Sequence, residues 1–262
     1  MSSPMLSERE RVEAERSAAE ASDIDLADLI VEENQIQRYL NPPADTCYPL
    51  EYSYHLLGDV RGKTVLDYGC GDGMNALLLA RRGARVEAFD LSLDLIRIAS
   101  RRLIANRVAS DVKFIVGSAH DLPFADNSVD VVFGMAILHH LDLGLSSREV
   151  KRVLRKGGRA IFREPVRNSK LLNFFRGLIP YRAPHVSAFE RPLTDNELSR
   201  YADGFASYRS KAFKLPTTNL VSVLPPLERR LLHACHKVDA TILKKIPALS
   251  YYATMRVVEM VK

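Results

Sequence analysis

The stretch that decides the fold is Thr64-Val65-Leu66-Asp67-Tyr68-Gly69-Cys70-Gly71-Asp72-Gly73-Met74-Asn75. Here a short apolar run ends in an acid, and three alternating glycines lead into a helical pattern. Glycine tolerates positive φ and lets a ligand approach the backbone closely. A helix that begins after such a loop has free backbone amides at its N-terminus, where an anionic group can bind. The stretch therefore predicts a strand, a loop and a helix around a nucleotide-type pocket.

Strand and helix patterns alternate outward from this stretch as far as residue 163. Short apolar runs predict strands at residues 65–67, 85–90, 113–116, 129–134 and 159–163. Helical periodicity predicts helices at residues 75–82, 93–106 and 148–154, and we expect Gly157-Gly158 to stop the last of them. Such alternation is typical of a parallel sheet covered on both faces, so we predict a doubly wound α/β fold.

The segments on either side of this core do not show the same alternation of strands and helices. Residues 7–39 predict one or two helices, and residues 48–57 predict a short helix that leads into the first strand. After Pro165 we expect helices at 168–178, 194–201 and 227–246, and a final antiparallel strand pair at 206–215 and 253–261. We therefore divide the chain into an N-terminal helical cap (1–58), a core (59–166) and a remainder (167–262) of lid helices and strands that complete the same domain.

Length and composition fit one globular domain with appendages. The chain has 262 residues, of which 47% are hydrophobic and 26% charged. Its three cysteines, Cys47, Cys70 and Cys235, lie far apart, which predicts neither a disulfide framework nor a metal site. The first 33 residues are polar and show no signal-peptide pattern, and no run approaches the roughly 18 apolar residues of a spanning helix. We therefore expect a cytoplasmic protein.

Charge is distributed unevenly along the chain. Residues 1–150 carry 15 Lys and Arg against 24 Asp and Glu, whereas residues 151–262 carry 22 against 8. The basic half has two interpretations. It is either part of a mixed solvated surface or a face that attracts an anionic substrate, lipid head groups or nucleic acid.

Five motifs together resemble one enzyme family. The pattern Asp67-x-Gly69-x-Gly71-x-Gly73 comes first, and the segments 86–92, 117–124, 130–133 and 154–158 follow in the family's order. They resemble the motifs of class I S-adenosylmethionine (SAM)-dependent methyltransferases, in particular the group that acts on small molecules. The resemblance covers roughly residues 60–165. Read alone, Gly71-x-Gly73-x-x-Ala76 with Asp90 also fits a dinucleotide fingerprint, which is a weaker match.

The resemblance implies a set of contacts to SAM. Asp90 would accept hydrogen bonds from the ribose hydroxyls, and Leu91 would pack on the adenine. Asp67 would either balance the ammonium group of the cofactor or fix the glycine loop. The implied cofactor-binding residues are Asp67, Gly69, Cys70, Gly71, Gly73, Asp90, Leu91, Ser118, Ala119, His120 and Met135.

One of these positions departs from the family pattern. Asp is common in the family where this chain has Ser118. A serine hydroxyl can still accept from the adenine amine, but more weakly than a carboxylate. The alternative is that Asp121 supports the loop.

Two histidines follow the fourth predicted strand, in Met135-Ala136-Ile137-Leu138-His139-His140-Leu141-Asp142. This segment resembles the LHHL-D segment of small-molecule methyltransferases and lies at the ligand-binding edge of such sheets. We predict His140, and after it His139, as a general base, because an imidazole titrates near neutral pH. The alternatives are that one histidine orients the loop through the backbone, or that positioning of the substrate suffices for methyl transfer.

The segments after Pro165 predict a substrate cover. Arg176, Arg182, His185 and Arg191 either bind an anionic group or are surface charges on a lid. An insertion at residues 217–250 carries Leu231, Leu232, Cys235, Val238 and Ile242 on one predicted apolar side, flanked by Arg229, Arg230, Lys244 and Lys245. This stripe would cover a greasy substrate, lie on a membrane surface, or pack against the N-terminal helices.

The sequence therefore predicts a SAM-dependent methyltransferase. Its expected substrate is a small, partly apolar metabolite, natural product or lipid precursor. The rival functions are RNA methylation, a SAM-binding regulatory or assembly role without catalysis, and nicotinamide-dependent oxidoreduction. No recognised RNA-binding module is present, so nucleic acid is not an expected partner. The acceptor atom and the oligomeric state stay open.

Overall fold

A computed structural model describes residues 7–108, 111–169, 191–217 and 228–262. Within these residues seven strands form one sheet in the order β3-β2-β1-β4-β5-β7-β6. The strands are β1 (Thr64–Tyr68), β2 (Arg85–Asp90), β3 (Val112–Val116), β4 (Val129–Met135), β5 (Leu154–Pro165), β6 (Ser207–Phe213) and β7 (Met255–Val261). The first five strands are parallel, and β7 runs antiparallel to both of its neighbours. The predicted doubly wound α/β fold is confirmed.

Helices flank this sheet. They are α1 (Glu8–Ser22), α2 (Glu33–Leu40), α3 (Pro49–Leu57), α4 (Met74–Arg81), α5 (Leu93–Ala105), α6 (Leu143–Val153), α7 (Asp195–Tyr201) and α8 (Glu228–Lys245). Short 3-10 segments occupy Leu26–Leu29, Leu138–His140 and Pro247–Tyr252. None of the helices in the described ranges is both long and apolar enough to cross a membrane.

Both faces of the sheet are buried. Adjacent residues of β1, Val65 and Leu66, belong to two different hydrophobic clusters because successive side chains in a strand point to opposite faces. One cluster includes Leu77 and Leu79 of α4, and the other includes Val150 of α6. A strand buried on both sides needs an almost continuous apolar run, which is why β1 was visible in the sequence.

The helix before β5 corrects one prediction. It begins at Leu143 rather than residue 148, because the Asp142 side chain caps it by accepting from the Leu145 amide at 2.9 Å. The helix ends at Val153, and Gly157-Gly158 lie within β5 instead of stopping the helix. A Cβ at Gly158 would lie 3.0 Å from the Asp130 carbonyl oxygen, so this glycine permits close approach between strands.

Helix α8 corrects a second prediction. The expected apolar side chains Leu231 and Val238 are 38% and 53% exposed, whereas the polar His236 and Asp239 are buried. Asp239 is stable there because its carboxylate accepts from the backbone amide of Leu215 at 2.8 Å and from a threonine hydroxyl. The spacing of apolar residues in the sequence could not predict that these polar residues form the buried side of the helix.

The predicted lid lies partly outside the described residues. This applies to the expected helix at residues 168–178 for most of its length, and to Arg176, Arg182 and His185. Arg191 is described; it is exposed and pairs with Glu197.

The turn from β1 into α4 generates a stability prediction. Gly73 has φ +83°, and a Cβ there would lie 2.6 Å from the Ala99 Cβ and 2.7 Å from the Ala99 Cα. Gly73→Ala should lower the free energy of unfolding by about 3–5 kcal/mol, from backbone strain and overpacking together. Gly62 also has positive φ, +70°, but no atom within 4 Å of its added Cβ, so Gly62→Ala is the matched control. We expect it to lose only about 1–2 kcal/mol in urea unfolding. Equal losses in the two variants would contradict the packing argument.

Candidate active site

The glycine loop after β1 combines tight packing with one open position. Gly69, Gly71 and Gly73 all have positive φ, between +52° and +83°. A Cβ at Gly69 would lie 2.7 Å from Ile137 Cδ1, and one at Gly73 would meet Ala99, but one at Gly71 would meet nothing within 4 Å. Gly69 and Gly73 are therefore required by the protein's own packing. Gly71 leaves space in which a ligand could contact the backbone.

Asp67 ends β1 behind this loop as a fully buried carboxylate. Neither of its oxygens has a hydrogen-bond partner within the described residues. Burial, and after it the nearby Asp90 and Asp72, raise the pKa of Asp67 to about 8, although the Ala76 amide acts in the opposite direction. A carboxylate without a partner in such a place is costly, so the site suits a cation or hydrogen-bond donor that compensates it.

Asp90 holds the loop at the end of β2. One carboxylate oxygen accepts from the Gly71 amide at 3.0 Å and the other from the Ser92 amide at 3.0 Å. Burial raises the pKa of Asp90, although these two hydrogen bonds act in the opposite direction. Beside it, buried Cys70 donates its amide to the Phe89 carbonyl at 2.9 Å, and Leu91 is half-buried. The predicted residues of the first two motifs thus lie together.

A tyrosine that the sequence did not single out supports the same loop. Tyr54 of α3 is fully buried, and its hydroxyl donates to Asn75 Oδ1 in the first turn of α4 at 2.8 Å. Burial, and after it the nearby Asp67 carboxylate, raise the pKa of Tyr54 well above its ordinary value, so its hydroxyl stays protonated. The N-terminal cap therefore contacts the glycine loop directly.

Ser118 and His120 contact a carboxylate from α1. The Ser118 hydroxyl donates to Glu10 Oε1, and His120 Nδ1 lies 3.2 Å from the same oxygen. His120 Nε2 accepts from the Asp142 amide at 3.0 Å, so the ring proton is on Nδ1 and points to Glu10. Ala119 between them is buried.

Glu10 is ionised in this position. Burial works against its charge, but hydrogen bonds from Ser118 and Ser7 and the nearby His120 lower the pKa of Glu10 to about 2. Ser7 caps α1 in a reciprocal capping box with Glu10. The helix start therefore fixes the carboxylate that faces Ser118.

Asp121, the alternative support for this loop, is exposed. The carboxylate that supports the loop is Glu149 of α6, which accepts from the Leu122 amide at 2.8 Å.

His139 is anchored by a buried carboxylate. Its Nδ1 lies 2.8 Å from Glu164 Oε2, and the other Glu164 oxygen accepts from the amides of Ile137 and Leu138, each at 2.9 Å. Glu164 is fully buried at the end of β5. A carboxylate on Nδ1 places the proton there and leaves Nε2 as the basic atom. Glu164 thus fixes both the loop and the tautomer.

His140 and His139 lie side by side beneath α1. Their ring centroids are 4.1 Å apart, and both residues are buried. His140 Nδ1 lies 3.0 Å from Glu13 Oε2, but without hydrogen-bond geometry. Arg9 of α1 donates to the His139 carbonyl at 3.0 Å. The half-buried Met135 ends β4 just before this segment.

Comparison with known proteins identifies the core. Residues 66–162 match the family described as a methyltransferase domain. They form a class I SAM-dependent methyltransferase domain. The structure of geranyl diphosphate C-methyltransferase from Streptomyces coelicolor, solved with S-adenosyl-L-homocysteine, has a TM-score of 0.55 and 19% identity, covering 80% of this chain and 76% of that one. At this identity the structural similarity concerns the fold.

Two curated relatives match the methyltransferase domain in sequence. Methyltransferase GfsG from Streptomyces halstedii is 37% identical over 111 residues, 42% of this chain and 40% of that protein. The fatty-acid O-methyltransferase from Mycolicibacterium smegmatis is 40% identical over 114 residues, 42% of this chain and 39% of that protein. The matches thus span about two fifths of each relative.

Sequence analysis missed the part of the site that α1 supplies. The buried residues of α1 are Glu13, Ser17 and Ala21, so the helix buries a largely polar face that no apolar period could indicate. Glu164 had a usable signal, because it follows an apolar strand in the same way as Asp67 and Asp90. Across the described ranges, no group of three or more His, Cys, Asp or Glu is arranged to hold a metal ion.

The raised pKa of Asp67 predicts how stability depends on pH. Between its ordinary pKa of 3.8 and about 8, the folded protein keeps a proton on Asp67 that the unfolded chain has lost. Stability without cofactor should therefore fall as pH rises through this window. Asp67→Asn removes this titration, so its stability relative to wild type should increase by about 1–3 kcal/mol between pH 5 and pH 8.

Urea unfolding at several pH values measures this difference, with Asp94→Asn as the control, since Asp94 is an exposed carboxylate paired with Arg97. Parallel pH profiles for wild type and Asp67→Asn would show that burial does not shift this carboxyl.

Proposed function

We propose that the protein is a SAM-dependent methyltransferase that acts on a small molecule. The observation that carries this is the buried, unpartnered carboxylate of Asp67 directly behind the open position at Gly71. SAM has an ammonium group that would compensate this charge and a carboxylate that suits free amides at the start of α4. The residues present therefore fit the cofactor. When bound, it would supply a methyl group on a sulfonium, ready for attack by a nucleophile.

The ribose would be held by Asp90. Its two oxygens already accept from Gly71 and Ser92, and each has a second lone pair for a ribose hydroxyl. The two amide hydrogen bonds also fix the carboxylate in one orientation, so it needs no rearrangement on binding. Leu91 and Met135 are half-buried at the ends of β2 and β4 and would line the same cleft.

Glu10 would replace the carboxylate that the family pattern places at position 118. Ser118 and His120 both donate to Glu10, and its low pKa keeps it charged. An ionised carboxylate is a stronger acceptor for the adenine amine than a serine hydroxyl. In this proposal Ser118, Ala119 and His120 shape the adenine site, and α1 provides the acceptor.

The two buried histidines would act on the substrate that accepts the methyl group. Glu164 holds the proton of His139 on Nδ1, which makes Nε2 the atom that would take a proton from the substrate. His140 packs on His139 and lies against Glu13, so either ring could be the base. Both lie beneath α1, and an enclosed site favours a small substrate over a folded RNA.

The decisive experiment uses SAM with an isotopically labelled methyl group. The full-length protein is incubated with a small-molecule cell extract, and mass spectrometry identifies what gains the label. We expect labelled metabolites with wild type and none with Asp90→Ala, which removes the proposed ribose acceptor. Bulk RNA is a separate arm, and label in RNA alone would support the rival function. SAM binding without transfer in any arm would contradict a methyltransferase.

The proposed role of Glu10 predicts a change in base preference. S-adenosylhomocysteine and its inosine counterpart differ at the position of the adenine amine, so wild type should prefer the adenosine form. Glu10→Gln should weaken S-adenosylhomocysteine binding by about 1–2 kcal/mol and reduce this preference. Glu15→Gln is the matched control, because Glu15 is an exposed residue of the same helix. Unchanged discrimination between the two ligands in a folded Glu10→Gln protein would exclude this role.

A further inference from the structure

A cavity of about 860 Å³ lies between the end of β6, helix α8 and the turn that leads into α3. The apolar side chains of Phe213 and Leu243 and the ring of Tyr48 share its lining with Lys214 and His236. This volume is in the range of small-molecule sites, which are mostly apolar with a few polar groups that fix orientation.

Two charged residues of the lining have partners within the protein. The Lys211 ammonium lies 3.9 Å from the ring centroid of Tyr52 and 3.4 Å from a backbone carbonyl. The Glu51 carboxylate accepts from Arg38 and from the Thr46 hydroxyl, so its charge is already compensated. Asp45, the other acid of the lining, lies near Lys211. The lining also contains Lys214, Lys237 and Lys244, so lysines outnumber acids around the cavity.

Lys214 and His236 are the groups that lack partners. His236 is only 4% exposed, and its Nδ1 has no hydrogen-bond partner among the described residues. The Lys214 ammonium is likewise without a hydrogen bond or ion pair to any described side chain. Lys214 has φ +57°, a conformation rare outside glycine, and its carbonyl accepts from the Thr254 amide at 2.8 Å. A strained backbone thus holds this lysine at the cavity.

Arg163 extends this group of donors toward the methyltransferase site. It lies on β5 in register with Met135 of β4, and its Nε is buried without a partner among the described residues. Arg163 does not line the cavity, but it lies close enough to Lys214 to help burial lower the pKa of that lysine. The adjacent acid, Glu164, acts on the Arg163 charge but makes its hydrogen bonds to His139 and the loop amides, so Arg163 Nε has no acceptor among the described residues. Half-buried cations and buried donors that lack a hydrogen-bond partner favour an anion that compensates them.

We propose that this cavity binds the acceptor substrate, and that the substrate is an amphiphilic anion. A carboxylate or phosphate would be held by Lys214 and His236, with the charge of the nearby Arg163 adding to the attraction, and the apolar part would lie against Phe213 and Leu243. This inference rests on the proposed function, since it places the anionic group beside the strand end that carries Met135. In this proposal, basic residues of the C-terminal half bind the anionic group of the substrate.

The test compares three ten-carbon probes in the presence of S-adenosylhomocysteine. Decanoate, decyl phosphate and decanol carry the same tail, and calorimetry of the full-length protein gives their affinities. At least one anionic probe should bind about tenfold more tightly than decanol, since only the anions compensate the unpaired donors. Decanoate and decyl phosphate identify which anion is preferred. Equal binding of all three probes, or binding of none, would overturn the inference without the need for any variant.

Variants then locate the site. Lys214→Gln should abolish most of the preference for the anion, and Lys214→Arg should keep it. Lys156→Gln is the matched control, because Lys156 is an exposed lysine outside the cavity lining. Thermal unfolding and S-adenosylhomocysteine affinity should stay at wild-type values in all three variants. A Lys214→Gln protein that retains the full anion preference would overturn the assignment of this cavity.

The two proposals fail in different ways. Tight anion binding with no methyl transfer to any acceptor would contradict the proposed function and leave the cavity's ligand class standing. Methyl transfer to neutral acceptors, with no anion binding at the cavity, would contradict only the substrate class.

Discussion

The buried carboxylate of Asp67 is the constraint on which the rest of the site depends. It lies at the end of a strand covered on both faces, where no described group donates to it, and its charge is therefore costly. The glycine loop in front of it packs against Ile137 and Ala99 yet leaves Gly71 open. A cationic ligand group bound there would compensate the carboxylate. In the proposed function, cofactor recognition and local instability would therefore have the same physical origin.

Apolar residues pack the N-terminal cap onto the core, and polar contacts bring its functional groups to the site. Glu10 accepts from Ser118 and His120, Arg9 donates to the His139 carbonyl, and Tyr54 donates to Asn75. Hydrogen bonds of this kind have modest net energies and are lost when one partner moves. The apolar contacts therefore hold the cap in place, and these hydrogen bonds set which of its groups face the site.

On the side of the site proposed for the methyl acceptor, the main interaction is a set of hydrogen bonds to one buried carboxylate. Glu164 accepts from the amides of Ile137 and Leu138 and pairs with His139, so its hydrogen bonds hold the histidine loop. Burial lowers the pKa of Arg163, the preceding residue, and the charge of Glu164 opposes this. Arg163 in turn helps burial to lower the pKa of Lys214. In the proposal above, an anionic ligand would compensate these two cations.

The sheet, the glycine loop and the acids Asp67 and Asp90 could be predicted from the sequence, because they depend on local periodicity and on the order of elements along the chain. Only the tertiary structure decided that Glu10 meets Ser118, that His236 and Asp239 form the buried side of α8, and that Lys214 lies near Arg163. Each of these arrangements brings together polar side chains from segments that lie far apart in the chain. Such pairs leave no periodic signal, since a buried polar group is defined by its partner and not by its neighbours in sequence.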